Sequence, residues 1–236
     1  MDNTIQSIGS YVFHFLRVRM NGLFYTSRIR RYRRLHMGCG DIHLDGYLNI
    51  DSRPTKAADI IGNCADISFL PAHHFSEIYS NAFFEHLYKG EREKCLRSIY
   101  SGLSSNGTVV FTGIPDFSCV ARAYLEKKQG ITAKVFDIDQ AYRHTHGAPE
   151  GKSAWWLAQL HKSLFDTQTT KQLLQVAGFS RFCIFTYIFG NDKTRITQGF
   201  VAWKNRKKKM EQSELMEYLY SFPSGIQKGS IHVEFQ

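Results

Sequence analysis

The sequence predicts an α/β domain, a seven-stranded mixed sheet that is mostly parallel, with helices on both faces. Three observations carry this expectation. Short apolar runs alternate with helical patterns over residues 35–204. Two glycines follow the first apolar run directly, in Leu35-His36-Met37-Gly38-Cys39-Gly40. The last two runs flank Gly190-Asn191-Asp192, which reads as the turn of an antiparallel hairpin at the sheet edge.

The apolar runs place strands at Arg34–Met37, Tyr47–Ile50, Ile60–Ile61, Ile78–Ser80, Val109–Gly113, Phe182–Tyr187 and Gly199–Trp203. Between them, Cys95, Leu96, Ile99 and Leu103 share one face of a helix over Glu91–Leu103. Asp166 reads as the N-cap of a helix that runs to Ala177 and ends at Gly178. The 236 residues, 43% hydrophobic, suit one packed domain with additions rather than two.

Those additions lie at both ends and in the middle. Residues 1–34 carry Ile5, Ile8, Val12, Phe15, Leu16 and Leu23 at helical spacing, opposite arginines, and form a basic amphipathic extension. Residues 205–236 read as a charged helix and a mobile Ser/Pro/Gly tail. About 50 residues, 116–163, separate the fifth strand from the Asp166 helix, a length that points to a substrate-enclosing insertion or lid.

Charge and cysteine usage exclude several classes. The five cysteines are scattered and form no C-x-x-C pair, which argues against a disulfide framework or zinc finger and for a cytoplasmic setting. No apolar run is long enough for a transmembrane segment, and no signal peptide is evident. The net charge of +9 is concentrated in Arg17 to Arg34, with no acidic residue between Asp2 and Asp41, and in Lys204 to Lys209. Such blocks attract anionic partners, whether a phosphorylated metabolite, nucleic acid or the inner membrane surface, where the N-terminal helix would rest peripherally.

A glycine turn after a first strand implies a nucleotide-type ligand. A dinucleotide site would add a third glycine and an acidic residue roughly 20 positions on, whereas position 43 is His and Asp51 follows Gly40 by 11 residues. Asp51 closes Leu48-Asn49-Ile50-Asp51, where a carboxylate can accept both hydroxyls of a ribose lying across the first two strands.

These motifs together resemble the class I S-adenosylmethionine-dependent methyltransferases, in particular the bacterial methyltransferase type 11-like group that modifies small molecules and glycans. The pattern comprises Leu35, Gly38-Cys39-Gly40, Gly46-Tyr47-Leu48-Asn49-Ile50-Asp51 and Glu85-His86. It continues through Asp66-Ile67-Ser68-Phe69-Leu70-Pro71, Asn106-Gly107, Leu164-Phe165-Asp166 and Ala177-Gly178-Phe179, covering about residues 34–204. The resemblance implies a Rossmann-like fold and S-adenosyl-L-methionine as cofactor. Gly38, Cys39 and Gly40 would meet its methionine end, Asp51 its ribose and Asp66 its adenine amino group, with Asn81 nearby. His36 stands where many relatives carry an acid, so the contact to the methionine ammonium must come from elsewhere.

Methyl transfer is an in-line displacement that needs alignment and, for a hydroxyl acceptor, a base. The insertion holds Asp116, Tyr124, Tyr142, His144, His146, Trp155, Trp156 and His161. The family pattern makes His161 the first candidate base, followed by His144, His146 and Asp116. No metal is expected, because no carboxylate cluster frames these histidines. Glu85-His86 reads equally as part of the site or as a helix-capping pair. By analogy, the acceptor is a hydroxyl on a small molecule or glycan. Asn81-Ala82-Phe83-Phe84 lacks the N-P-P-Y-like run of nucleic-acid amino methylases. RNA methylation at another atom and a non-catalytic methyltransferase-like domain are the alternatives.

Overall fold

Among the described residues, eight strands form one sheet: β1 (Arg34–Met37), β2 (Leu48–Asp51), β3 (Ile60–Ile61), β4 (Phe75–Asn81), β5 (Leu103–Pro115), β6 (Arg181–Tyr187), β7 (Thr197–Trp203) and β8 (His232–Phe235). A computed structural model describes residues 28–130, 134–147, 159–205 and 210–236. The basic extension up to Ser27, both insertion tryptophans and the basic run 206–209 lie outside the described residues.

The strand order is β3-β2-β1-β4-β5-β7-β6-β8. Strands β1 to β5 are parallel to one another; β7 pairs antiparallel with both β5 and β6. The β6–β7 hairpin is thus as expected, but it is not the sheet edge. β8 adds antiparallel to β6 and makes the sheet eight-stranded rather than seven-stranded.

Among the described residues, five α-helices complete the layers: α1 (Lys89–Gly102), α2 (Phe117–Leu125), α3 (Ile138–His146), α4 (Thr167–Val176) and α5 (Gln212–Tyr220). α4 starts as the sequence implies, with the Asp166 carboxylate accepting from Thr169 N at 2.6 Å, and Gly178 follows it at φ +104°. On one face of the sheet, Cys95, Leu96 and Ile99 of α1 and Leu174 of α4 pack with Leu35, Leu48, Ile78 and Val109. The opposite face buries Tyr79, Val110, Phe185 and Val201 under Leu215, Leu219 and Phe222. Strands covered on both sides read as short, nearly continuous apolar runs, which is why they are visible in the sequence.

The C-terminal segment is therefore part of the core rather than a mobile tail. Leu215 and Leu219 are fully buried, and Phe222 stacks on Tyr79 with ring centroids 4.6 Å apart. The loop after α5 is pinned to the β6–β7 turn: Gly190 N donates to Gly225 O at 2.7 Å, and Gln227 Nε2 donates to Gly190 O and Asp192 O. Several basic residues are engaged locally as well. Arg34 lies over the Tyr47 ring, and Lys204 Nζ donates to Leu103 O at 2.9 Å. Among the described residues, no helix is long and apolar enough to cross a membrane.

Candidate active site

The chain winds outward from β1 to β2 and β3, then returns to place β4 on the other side of β1. This reversal opens a crevice beyond the carboxyl ends of β1 and β4, the usual ligand position in open α/β sheets. Gly38 and Gly40 form the turn at the end of β1 with φ of +61° and +55°. A Cβ on Gly38 would lie 2.8 Å from the Phe83 ring, so both the backbone angle and the space demand glycine there.

Asp51 at the end of β2 secures this turn. Its Oδ2 accepts from Gly40 N at 2.8 Å, and its Oδ1 accepts from Arg53 N at 2.8 Å and Arg53 Nε at 3.0 Å. Cys39 N donates to Ile50 O at 3.0 Å, a further tie between the turn and β2. At the end of β4, Asn81 Oδ1 accepts from Thr112 Oγ1 at 2.9 Å, and Ala82 adopts φ +50°, a strained value for a non-glycine residue. Gly113, at an irregularity in the β5–β7 register, leaves room for it: a Cβ there would lie 2.5 Å from Ala82 N.

These elements enclose a cavity of about 370 Å³ lined by Gly38, Asp51, Asn63, Asn81, Phe83 and His86, among others. A hollow of about 480 Å³ at the β6–β8 edge, beside Lys171, Arg181 and Phe235, gathers no acid–base pair.

No family model and no curated protein matches the sequence. Among solved structures, the chain is similar to an S-adenosylmethionine-dependent methyltransferase from Archaeoglobus fulgidus. The identity is 14%, the match covers 80% of this chain and 92% of that one, and the TM-score is 0.50. The chain has the class I methyltransferase fold. A methyltransferase of the same cofactor type from Methanosarcina mazei is also similar, at 14% identity over 72% of this chain and 91% of that one, with a TM-score of 0.46.

In this methyltransferase fold, Gly38, Cys39, Gly40, Asp51 and Asn81 all line the cavity. Burial pushes the Cys39 thiol up to about 11, so it is a neutral wall rather than a nucleophile. Asp66 is not in the lining: its Oδ1 accepts from Ser68 N and its Oδ2 meets Lys94 Nζ at 3.0 Å. Asn63, Cys64 and Ala65, just before it, form that wall instead. His36 points elsewhere, with Nδ1 3.0 Å from Asn49 Oδ1 and its ring stacked on Tyr79. Its burial lowers its pKa, so it remains a neutral packing group. Arg53, which no sequence motif singles out, reaches over the glycine turn; its Nη2 would be 3.3 Å from a Cβ on Gly40.

Of the four candidate bases, His144, His146 and His161 come together: His161 N donates to His146 O at 3.2 Å and its Nδ1 lies 3.0 Å from His144 O. Asp116 caps α2, its Oδ1 accepting from Cys119 N at 2.8 Å, and burial raises its pKa. His144 stacks on Phe136, and burial holds it down at about 4. His146 stacks on Tyr142 and contacts Thr145 Oγ1 through Nδ1. None of these three lines the cavity. Asp116 Oδ1 and His146 Nδ1 are engaged locally, whereas Asp116 Oδ2 and His144 Nε2 are buried without a hydrogen-bond partner.

His161 lies directly behind the cavity wall, edge-on to His86 with ring centroids 5.3 Å apart. Two backbone bonds hold it in place: Lys162 N and Ser163 N both donate to Glu85 O, at 2.8 and 3.2 Å. The short 3-10 turn Phe84–His86 after β4 thus meets the strap that returns from the insertion. Burial pushes the Glu85 carboxyl up to about 8 and holds His86 down at about 4, and it also lowers His161. All three side chains are therefore neutral at pH 7. The sequence offers Glu85-His86 and His161 as separate candidates; their convergence across 75 residues is visible only in the fold.

Proposed function

We propose that the chain transfers a methyl group from S-adenosyl-L-methionine to a hydroxyl of a small-molecule or glycan acceptor. The observation that carries this reading is the crevice itself: a glycine turn with left-handed backbone joined to the buried Asp51 carboxylate at the β1–β4 switch point. The residues fit this cofactor. Asp51 Oδ2 accepts one bond from Gly40 and keeps a lone pair for a ribose hydroxyl. Movement of the Arg53 side chain off Oδ1 would free another.

When bound, S-adenosylmethionine supplies an electrophilic methyl group on a sulfonium. Phe83 offers an aromatic face to that cationic end. Asn63 and Ala65 form the wall for the adenine, replacing the role expected of the Asp66 side chain. At the acceptor end, His86 lines the wall that the incoming hydroxyl meets, and His161 packs edge-on behind it. Both are neutral and have Nδ1 against a backbone carbonyl, which leaves Nε2 as a lone pair.

Calorimetric titration of the full chain with S-adenosylmethionine, S-adenosylhomocysteine and NAD tests the cofactor. Micromolar binding of the first two and none of NAD is the expected result. Binding of NAD instead, or of none of the three, would overturn the reading. With labelled cofactor, transfer to a glycan pool rather than an RNA pool is expected.

A further inference from the structure

We propose that Glu85, His86 and His161 form a binding site for one divalent first-row transition-metal ion. One ligand atom from each of the three residues lies within 4.8 Å of the others. His86 Nε2 is 3.8 Å from Glu85 Oε1. Ligands at roughly 2.1 Å from a tetrahedral ion are about 3.4 Å apart, so side-chain rotations that draw the atoms in by about 1 Å close the set.

The tautomers are already those a metal requires. His86 Nδ1 faces Leu160 O at 3.2 Å and His161 Nδ1 faces His144 O at 3.0 Å. A carbonyl only accepts, so the proton sits on Nδ1 of each ring and Nε2 presents its lone pair. Backbone carbonyls in this position are the usual orienting shell of metal-bound histidine.

Glu85 supplies an independent indication. It is 2% exposed, and its Oε2 has no hydrogen-bond donor. A buried carboxyl oxygen without a partner is costly unless something else satisfies it, and a cation does so. Two imidazoles and the Glu85 carboxyl, which releases its proton to solvent as the ion binds, favour ions such as Zn²⁺, Mn²⁺ or Fe²⁺ over Mg²⁺ or Ca²⁺, which prefer all-oxygen shells. Three protein ligands also leave a coordination position open. Since His86 lines the cavity, that position is next to the acceptor end of the proposed methyl-transfer site. Only this last placement rests on the methyl-transfer reading; metal binding does not.

The test uses the full chain, stripped with a chelator and titrated calorimetrically with Zn²⁺, with Co²⁺ visible absorption as a second readout. One Zn²⁺ per chain at micromolar affinity or better is expected. Glu85→Gln and His161→Ala should each weaken it at least roughly 10-fold and bleach the Co²⁺ bands, with circular dichroism reporting the fold. The half-buried strap position of His161, against the fully buried one of Glu85, makes His161→Ala the safer variant should Glu85→Gln fail to fold. No uptake by the native chain, or uptake unchanged in the folded variants, would overturn the proposal. A chain that binds S-adenosylmethionine but no Zn²⁺ sinks the metal site alone, and one that binds Zn²⁺ but no cofactor sinks only the methyl-transfer reading.

Discussion

The backbone N–H of Gly40 donates to Asp51 Oδ2 across 2.8 Å, joining the turn after β1 to the end of β2. The same carboxylate therefore shapes the turn and faces the cavity. Asp51→Ala should reduce S-adenosylmethionine affinity at least 100-fold, because two charge-assisted bonds to ribose at about 1.5–3 kcal/mol each are lost. It should also lower the melting temperature, since Gly40 and Arg53 lose their acceptor. Calorimetry and thermal melts separate the two effects; native affinity in a folded variant would place the cofactor elsewhere.

Gly38→Ala tests the turn from the other side. An alanine at φ +61° costs about 1–2 kcal/mol, and its Cβ would press on the Phe83 ring. The denaturant midpoint should fall and cofactor binding weaken, as Phe83 is displaced into the cavity. An unchanged midpoint would show that the turn can relax at no cost.

What the sequence discloses follows from how each part is stabilised. Strands such as Arg181–Tyr187 and Thr197–Trp203 are largely buried and so appear as apolar runs. Asp166 and Gly178 are legible because capping and left-handed backbone are local chemistry. By contrast, β8 has alternating exposed and half-buried residues, His232 and Glu234 among them, and no apolar run marks it. Leu215 and Leu219 are a two-residue stripe within a helix otherwise rich in Glu, Gln and Tyr. The glycines and Asp51 of the site are likewise local to one β-turn-β unit. Glu85, His86 and His161 converge only because residues 159–165 bind back to the turn after β4, a tertiary event with no local signature.

Asp192 predicts a pH dependence of stability. Its Oδ2 is buried without a partner, and burial pushes its pKa from 3.8 to about 6. The folded value lies above the unfolded one, so the stabilisation of the protonated form is complete below pH 3.8 and is lost as pH rises through 6. At about 1.4 kcal/mol per decade, the loss is on the order of 3 kcal/mol. Asp192→Asn, which cannot ionise, should match the native chain near pH 4 and be more stable at pH 7 to 8. Parallel denaturation curves at those pH values check this, and equal stability at pH 8 would show that the carboxylate is solvated.

The C-terminal helix is the remaining test, because the sequence and the structure assign it opposite roles. As a solvated tail, residues 206–236 could be removed without consequence. As the cover of the second sheet face, their removal would expose Tyr79, Val110, Phe185 and Val201 together. A chain ending at Asn205 should therefore aggregate or fail to fold. Leu219→Ala is the milder probe: the side chain is fully buried, and its loss should cost about 2–5 kcal/mol by leaving a cavity against the sheet. The cofactor crevice lies at the carboxyl ends of β1 and β4 rather than on this face, so a folded Leu219→Ala chain should bind S-adenosylmethionine as the native chain does. Chemical denaturation and calorimetry on one preparation measure both quantities, and a loss below 1 kcal/mol would mean that α5 is only loosely docked.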